Sequence, residues 1–260
     1  NVREALAYSF NPNDEIQHIE NGFAVPTCDD STGTFAHEPS LVAAGGLCPY
    51  GPNSLAQYSP TAAKQILVTD GWTMGSNGYF SKGGKELDLR ISTTAGRQYR
   101  LDSEQLAQAA WKNIGVKLTV VNEPASTFFG PILFPEAKGF EKANTQWDIA
   151  EFENSIGTDP DSHTIWDSNQ VPAPPNFGSN LTYYNNPSVD QLEAQQRLAT
   201  DQTQRAAIFH QIHVQILKDI PTFYLYAPED LSEYRNNIHN YMPDSVGPAE
   251  TWNIWDWWQG

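Results

Sequence analysis

Basic side chains are scarce in this sequence, and long apolar runs are absent from it. Lys and Arg together number 15 against 31 Asp and Glu, which gives a formal net charge of −16. Because such a charge repels phosphates, the composition argues against nucleic acid as a partner. No apolar run approaches the roughly 18 residues that would cross a bilayer. With 39% hydrophobic and 18% charged residues, the sequence fits neither a disordered tail nor a membrane protein.

Motifs of common catalytic sites are also missing. The sequence has no Gly-x-Ser-x-Gly, no P-loop and no dinucleotide fingerprint. His210 and His213 have a spacing that can bind metal on a helix, but no carboxylate completes the set, and we expect an exposed pair. Glu151 and Glu153 stand two apart on a predicted strand, so they would face the same way, as the paired carboxylates of a glycosidase could. Nothing else supports catalysis, and we predict no enzyme, no metal and no cofactor.

Only two cysteines are present, Cys28 and Cys48. They bracket a segment rich in Asp, Ser, Gly and Pro. A buried free thiol would be expected in an apolar element, and this segment is not one. The sequence therefore favours a disulfide and an oxidising, extracytoplasmic compartment. Residues 1–8 have neither the basic start nor the apolar core of a signal peptide. The chain thus either stays in the cytoplasm or begins within a longer protein whose signal sequence lies upstream, and the cysteine segment favours the second.

Strands and helices alternate through the middle of the chain. Residues 85–94 and 116–121 alternate between apolar and polar side chains, and residues 147–152 form a third predicted strand. An amphipathic helix is predicted over residues 102–114, with Asp102 as its N-cap. Other predicted helices cover 2–20 with a break near residue 12, 61–69, 188–199 and 203–218, and a fourth strand covers 221–226. This order indicates an α/β or α+β domain.

Six segments, taken in this order, resemble family 5 extracellular solute-binding proteins. They are residues 2–16, the Tyr-x-Pro helix at 58–72, the Gly-Lys-x-Leu strand at 82–89, the Trp-x-x-Ile-Gly helix end at 107–115, the Asp-Pro-Asp loop at 159–161 and the helical pair at 184–221. No single segment is specific, but together they span nearly the whole chain apart from the cysteine segment. The resemblance implies a periplasmic-binding-protein-like second lobe of type II (cluster C) architecture, with a mixed sheet flanked by helices.

The resemblance also implies a function. Members of this family hold a solute between two lobes and deliver it to the permease subunits of an ABC importer. Residues 1–225 would form the second lobe, and residues 226–260 would return to the first lobe, which lies upstream. The tryptophans of this return segment would belong to the core of the first lobe. We expect an oligopeptide or similar solute, with an oligosaccharide-binding member of the same family and a glycoside-acting enzyme using Glu151 and Glu153 as alternatives.

Ligand-binding residues are expected at the carboxyl ends of the strands, where open α/β sheets bind ligands. In peptide-binding members an Asp beyond the third strand holds the peptide's amino terminus. The matching position is Ile156, which cannot pair with an ammonium, although Glu153 could replace the Asp. A family Arg that grips the peptide carboxylate would fall near Thr94, with Arg97 and Arg100 out of register. These departures slightly favour a neutral ligand. The candidate residues are Thr93, Thr94, Arg97, Glu153, Asn154, Ser155, Ile156 and Asp159.

Overall fold

The computed structural model describes residues 1–43, 48, 58–134, 147–154, 157–229, 231–243 and 251–260. Its helices are α1 (Val2–Ser9), α2 (Pro12–His18), α3 (Pro39–Ala43), α4 (Pro60–Thr69), α5 (Gln98–Asn113), α6 (Ala125–Thr127), α7 (His163–Trp166), α8 (Pro187–Leu198) and α9 (Gln202–Asp219). Its strands are β1 (Ala24–Pro26), β2 (Thr73–Met74), β3 (Phe80–Lys82), β4 (Lys85–Glu86), β5 (Asp88–Ser92), β6 (Lys117–Val120), β7 (Ile149–Ala150), β8 (Tyr226–Pro228), β9 (Ile238–His239) and β10 (Trp258–Gln259). No helix in these ranges is both long and apolar enough to cross a membrane.

A parallel sheet with the strand order β6-β5-β7 lies at the centre of the fold. Asp88 to Ile91 of β5 pair with Lys117 to Val120 of β6, and the end of β5 pairs with β7. Parallel neighbours need a crossover connection, and α5 supplies it between β5 and β6. All three strands therefore present their carboxyl ends at one edge, as the sequence predicted.

The main apolar core lies between this sheet and helices α1, α4 and α5. Leu6, Leu67, Trp111 and Ile114 are buried there. Trp111 also donates its indole N–H to the carbonyl of Leu6 at 3.2 Å, so the ring is satisfied in the core. A second core is built around α8, α9 and Trp166. Neither core includes a described residue beyond Leu225.

Helix α5 begins four residues before the predicted start. Its first residue is Gln98 and its N-cap is Arg97, which makes no side-chain capping bond. Asp102 therefore lies inside the helix, where its carboxylate accepts a 2.8 Å hydrogen bond from Gln98. The extra turn buries Arg100 against the sheet. This tertiary contact outweighs the local preference of Asp for an N-cap position, and the prediction for Asp102 was wrong.

The predicted strand over residues 221–226 is largely absent. Ile220 ends α9 in the left-handed region with φ at 49°, and the chain then passes over the main core, where Phe223 and Leu225 pack without ladder bonds. Only Tyr226 enters a strand, β8, which pairs antiparallel with β1. The apolar residues at 221–226 thus indicate burial against the core and not pairing in a sheet.

Cys28 and Cys48 form the predicted disulfide, with their Cα atoms 5.7 Å apart. Both residues are buried and pack with Leu41 against α9. The segment after Cys28 is also fastened to α9 by Asp30, whose carboxylate lies 3.5 Å from Nε2 of His213. The described residues just after Cys28 are therefore fastened to α9.

The prediction of an exposed histidine pair on α9 was wrong for one member. His210 is exposed and lies 2.5 Å from a carboxylate oxygen of Glu38. His213 is only 1% exposed, because Asp30 and Ser31 lie against its ring. Burial lowers the pKa of His213, but the carboxylates of Asp30 and Asp29 outweigh burial and raise that pKa above its usual range.

Gly115 offers a test of the packing between α5 and β6. Its φ is 81°, and a Cβ there would lie 2.7 Å from Cε of Met74 and 3.1 Å from a ring carbon of Phe80. Gly96 has a similar φ of 86° with open space around it. We expect Gly96→Ala to cost about 1 kcal/mol from backbone strain alone, and Gly115→Ala about 3 kcal/mol because overpacking adds to it. Urea unfolding measures both, and equal losses would contradict the packing argument.

Candidate functional site

The residues that follow the three parallel strands meet at one rim. After β5, the backbone N–H of Thr93 donates to Oδ1 of Asn122, which follows β6, at 3.0 Å. The hydroxyl of Thr93 donates to the carbonyl of Glu151, which follows β7, at 2.7 Å. Thr93 and Thr94 are both buried. These bonds join the ends of all three strands into one surface.

Arg100, on the first turn of α5, lies at the centre of this rim. Its Nη1 donates to the hydroxyls of Thr93 and Thr94 at 3.0 and 3.1 Å, and its Nε donates to the hydroxyl of Tyr99 at 3.1 Å. Its Nη2 lies 3.5 Å from a carboxylate oxygen of Glu153. The Arg100 side chain is 9% exposed, whereas that of Glu153 is 65% exposed. Arg100 is therefore a buried cation with one edge directed at a loosely held, exposed carboxylate.

The predicted site residues divide into those at the rim and those elsewhere. Thr93, Thr94 and Glu153 come together through Arg100. Arg97 and Asn154 are exposed, and Ser155 and Ile156 lie outside the described residues. Asp159 pairs with Arg205 of α9 and lines a separate surface pocket of about 200 Å³. Solute binding by any of these residues stays a prediction.

Sequence reasoning did not select Arg100, the residue that organises the rim. Counting from Trp111 places the expected Arg near Thr94, which leaves Arg100 out of register. The predicted helix also begins too late to include it. With the helix beginning at Gln98, Arg100 lies on its first turn, beside the strand ends. The sequence feature that could have indicated Arg100 is the pair of threonines directly after an apolar strand. Buried hydroxyls need a hydrogen-bond partner, and a nearby arginine can supply it.

Three glutamates approach one another behind the rim. Glu15 of α2 and Glu104 of α5 are fully buried. Glu15 accepts a hydrogen bond from the hydroxyl of Ser103, and Glu104 accepts one from the side-chain amide of Asn122 at 2.6 Å. Glu151 completes the group from the residues after β7. We call these residues, Glu15, Glu104 and Glu151, the glutamate cluster.

The pKa values of the glutamate cluster are raised. Burial raises the pKa of Glu15 to about 7 and also raises that of Glu104. Burial raises the pKa of Glu151 to about 8, with the neighbouring carboxylates of Glu15 and Glu104 adding to the effect and Arg100 opposing it. In all three residues of the cluster, burial thus favours the protonated form of the carboxyl.

Glu151 and Glu153 do not form the pair that the strand pattern predicted. Strand β7 ends at Ala150, so neither glutamate lies on a strand. Glu151 belongs to the glutamate cluster, and Glu153 is exposed and contacts Arg100. The prediction that both glutamates lie on a strand was wrong. Among the residues that the structure describes, no group of three His, Cys, Asp or Glu side chains could hold a metal ion.

Solved structures with this fold bind solutes of different classes. The oligopeptide-binding protein AppA from Bacillus subtilis, in complex with a nonapeptide, superposes with a TM-score of 0.75 at 22% identity, covering 100% of this chain and 47% of that one. A mannohexaose-bound periplasmic oligopeptide-binding protein from Thermotoga maritima gives a TM-score of 0.66 at 19% identity, covering 87% of this chain and 40% of that one. These similarities confirm the predicted fold class.

Sequence relatives agree with the fold. The oligopeptide-binding protein OppA of Lactococcus lactis subsp. lactis is 29% identical over 215 residues, which cover 80% of this chain and 32% of the relative. The nickel-binding periplasmic protein of Escherichia coli is 27% identical over 214 residues, covering 81% and 36%. This chain thus spans about a third of the length of these relatives. Residues 1–191 match the family described as bacterial extracellular solute-binding proteins, family 5 Middle. The resemblance read from the sequence is confirmed, and the chain belongs to family 5 of the bacterial extracellular solute-binding proteins.

Proposed function

We propose that this chain forms one wall of the binding site in the substrate-binding component of an ABC importer, and that the solute is an oligopeptide or a similar molecule. The observation that carries the proposal is Arg100, a buried cation at the strand ends with one edge open towards Glu153. The relatives named above are binding proteins for oligopeptides or nickel, which supports a binding role over a catalytic one. Permease subunits in the membrane would be the partners of the loaded protein.

The division of the chain is part of the same proposal. Residues 1–225 form the second lobe, and residues 226–260 return to a first lobe. Large apolar side chains are exposed in the return segment, with Trp255 exposed to 72%. Trp252 and Trp258 are exposed as well. An apolar surface of this kind is typical of a region that another domain covers. An extracytoplasmic location, supported by the family and by the disulfide, completes the proposal.

Arg100 gives the site its chemistry. A guanidinium remains charged at all relevant pH values, and its planar fork matches a carboxylate. Nη1 and Nε of Arg100 are held by neighbouring hydroxyls, which leaves the edge at Nη2 for an exchangeable partner. Glu153 occupies that edge at 3.5 Å, longer than a strong charged hydrogen bond. A solute carboxylate could replace it, so we propose a solute with an anionic group.

An oligosaccharide is the second candidate, favoured by an aromatic surface beside Glu153. The ring of Phe129 is partly exposed and lies 6.2 Å from the ring of Phe152, measured between centroids. Phe128 supports both rings from the buried side. Exposed aromatic faces can stack on sugar rings, and Phe152 of this surface directly precedes Glu153 in the chain. A neutral sugar would use the aromatic surface and need no exchange at Arg100.

The solute class can be tested with a thermal-shift screen of the protein with both lobes, against di- to hexapeptides, oligosaccharides and nickel chelates. A solute at a hundred times its Kd adds about 2.7 kcal/mol of stability, which raises Tm by several degrees. We expect a peptide to raise Tm in the wild type and in Lys112→Gln, a control at the far end of α5. Arg100→Gln should lose that shift, measured from its own ligand-free Tm.

The other outcomes of this screen are equally informative. A shift by an oligosaccharide that Arg100→Gln retains would replace the peptide proposal with the aromatic surface. A peptide shift that Arg100→Gln retains would remove Arg100 from the site. No shift with any class would contradict solute binding of these kinds.

Arg100 should also contribute to the stability of this lobe in the absence of solute. Arg100→Gln removes hydrogen bonds to three hydroxyls and the contact with Glu153, so we expect a loss of about 2 kcal/mol in the free energy of unfolding. Arg97→Gln, an exposed arginine three residues earlier, should change stability by less than about 0.5 kcal/mol. Denaturant unfolding compares the two variants. A similar small effect for both would mean that Arg100 does not hold the rim together.

A further inference from the structure

We propose that the glutamate cluster stores protons behind the candidate site, and that losing them above neutral pH loosens the rim at Glu151 and Glu153. Proton binding by the glutamate cluster is argued from the described residues alone. The claim that it controls solute binding rests on the function proposed above. The solute site would then respond to the pH of the surroundings through carboxyls that no solute touches.

Two buried carboxylate oxygens of the glutamate cluster lack a hydrogen-bond donor. Oε2 of Glu15 and Oε1 of Glu104 are buried, and neither has a hydrogen-bond partner within the described part of the chain. A buried carboxylate oxygen without a donor is costly, because it has lost its water and gained nothing in return. Placing a proton on the carboxyl removes the charge and most of that cost. The geometry therefore favours the protonated form of these groups.

The second observation is the balance of charge around the cluster. The titratable or charged groups that act on it come from every element packed there: Glu15 and Glu20 from α2 and the turn after it, Arg100 and Glu104 from α5, Glu151 after β7, and Tyr226 from β8. Arg100 is the one cation among these described groups, and its hydrogen bonds to the hydroxyls and its contact with Glu153 lie on the side of the rim. The carboxylates of Glu15 and Glu104 both oppose ionisation of Glu151, and the positive charge of Arg100 only partly offsets them.

The third observation links the cluster to the rim. The backbone of Glu151 donates its N–H to the carbonyl of Ser92 at 3.0 Å and accepts the hydroxyl of Thr93 at 2.7 Å. Glu15 and Glu104 lie on helices, whereas Glu151 lies on the irregular residues after β7. Repulsion among three carboxylates would therefore move Glu151 most readily. That movement would disturb Thr93, on which Arg100 depends, and the neighbouring Glu153.

The direction of the pH effect follows from the raised pKa values. The ordinary pKa of a glutamate side chain is 4.5, whereas Glu15 and Glu151 in the folded chain have pKa values of about 7 and about 8. The folded state thus binds more protons than the unfolded state between these limits. The stabilising effect of the stored protons is complete below about pH 4.5 and is lost as pH rises through about 7 to 8.

The test compares the Tm of the chain from pH 5 to pH 9 in the wild type and in Glu151→Gln and Glu104→Gln, whose amides imitate a protonated carboxyl. The control Glu233→Gln removes one exposed charge outside the cluster. We expect either cluster variant to raise Tm by about 5 °C at pH 9 and to leave it nearly unchanged at pH 5. Glu233→Gln should follow the wild-type curve. Parallel curves for all four proteins would overturn the proton store.

Amide hydrogen exchange tests the loosening of the rim. In the wild type, the protection factor of the Glu151 amide, which donates to Ser92, should fall at least tenfold between pH 6 and pH 9, while those in α9 stay constant. Glu151→Gln should keep its protection at both pH values. Unchanged wild-type protection would overturn the link to the rim even if the Tm curves differ. No solute is used in either experiment, so a failure here is distinct from a failure of the proposed solute binding.

Discussion

The burial of Arg100 is the constraint on which the rest of the rim depends. A guanidinium has five N–H donors and cannot lose its charge, so a fold that buries it must supply acceptors from several directions. Here the acceptors are the hydroxyls of Thr93, Thr94 and Tyr99 and the carboxylate of Glu153. Because these acceptors must surround the guanidinium, α5 begins at Gln98, and the ends of β5 and β7 lie beside Arg100. The position of the site and the local fold thus have one cause.

The single positive charge of Arg100 does not balance the carboxyls of the glutamate cluster. Arg100 is hydrogen-bonded towards the rim, and behind it the glutamate cluster has only Ser103 and Asn122 as side-chain donors among the described residues. Polar groups buried in this way destabilise a lobe compared with apolar side chains of similar size. Their presence is consistent with a role other than stability. A cluster that releases protons near neutral pH, joined to the rim by the backbone of Glu151, provides such a role.

Sequence reasoning succeeded where the determining forces are local and failed where they are not. The alternation of residues 85–94 and the composition around Cys28 and Cys48 are local signals. They correctly predicted β5 and the disulfide, although residues 85–86 form the separate strand β4. The start of α5 depends on the contact of Arg100 with distant strand ends. The burial of His213 depends on Ser31 and its neighbours, 182 residues away in sequence. No periodicity within a single segment contains that information.

Residues 231–243 and 251–260 carry an exposed apolar surface, which supports the proposal that they return to a first lobe. These residues pack on one another: the rings of His239 and Trp258 stack with centroids 4.0 Å apart, and Tyr241 contacts Trp257 at 5.3 Å. The segment is thus ordered by its own β9–β10 pair, yet the outer face of Trp255 remains uncovered. Trp252 and Trp255 are both exposed with their ring centroids 6.4 Å apart, and adjoining exposed apolar side chains of this kind are typical of a contact surface. Order within the segment and exposure on one side together favour contact with another lobe, which is the arrangement that a solute site between two lobes requires.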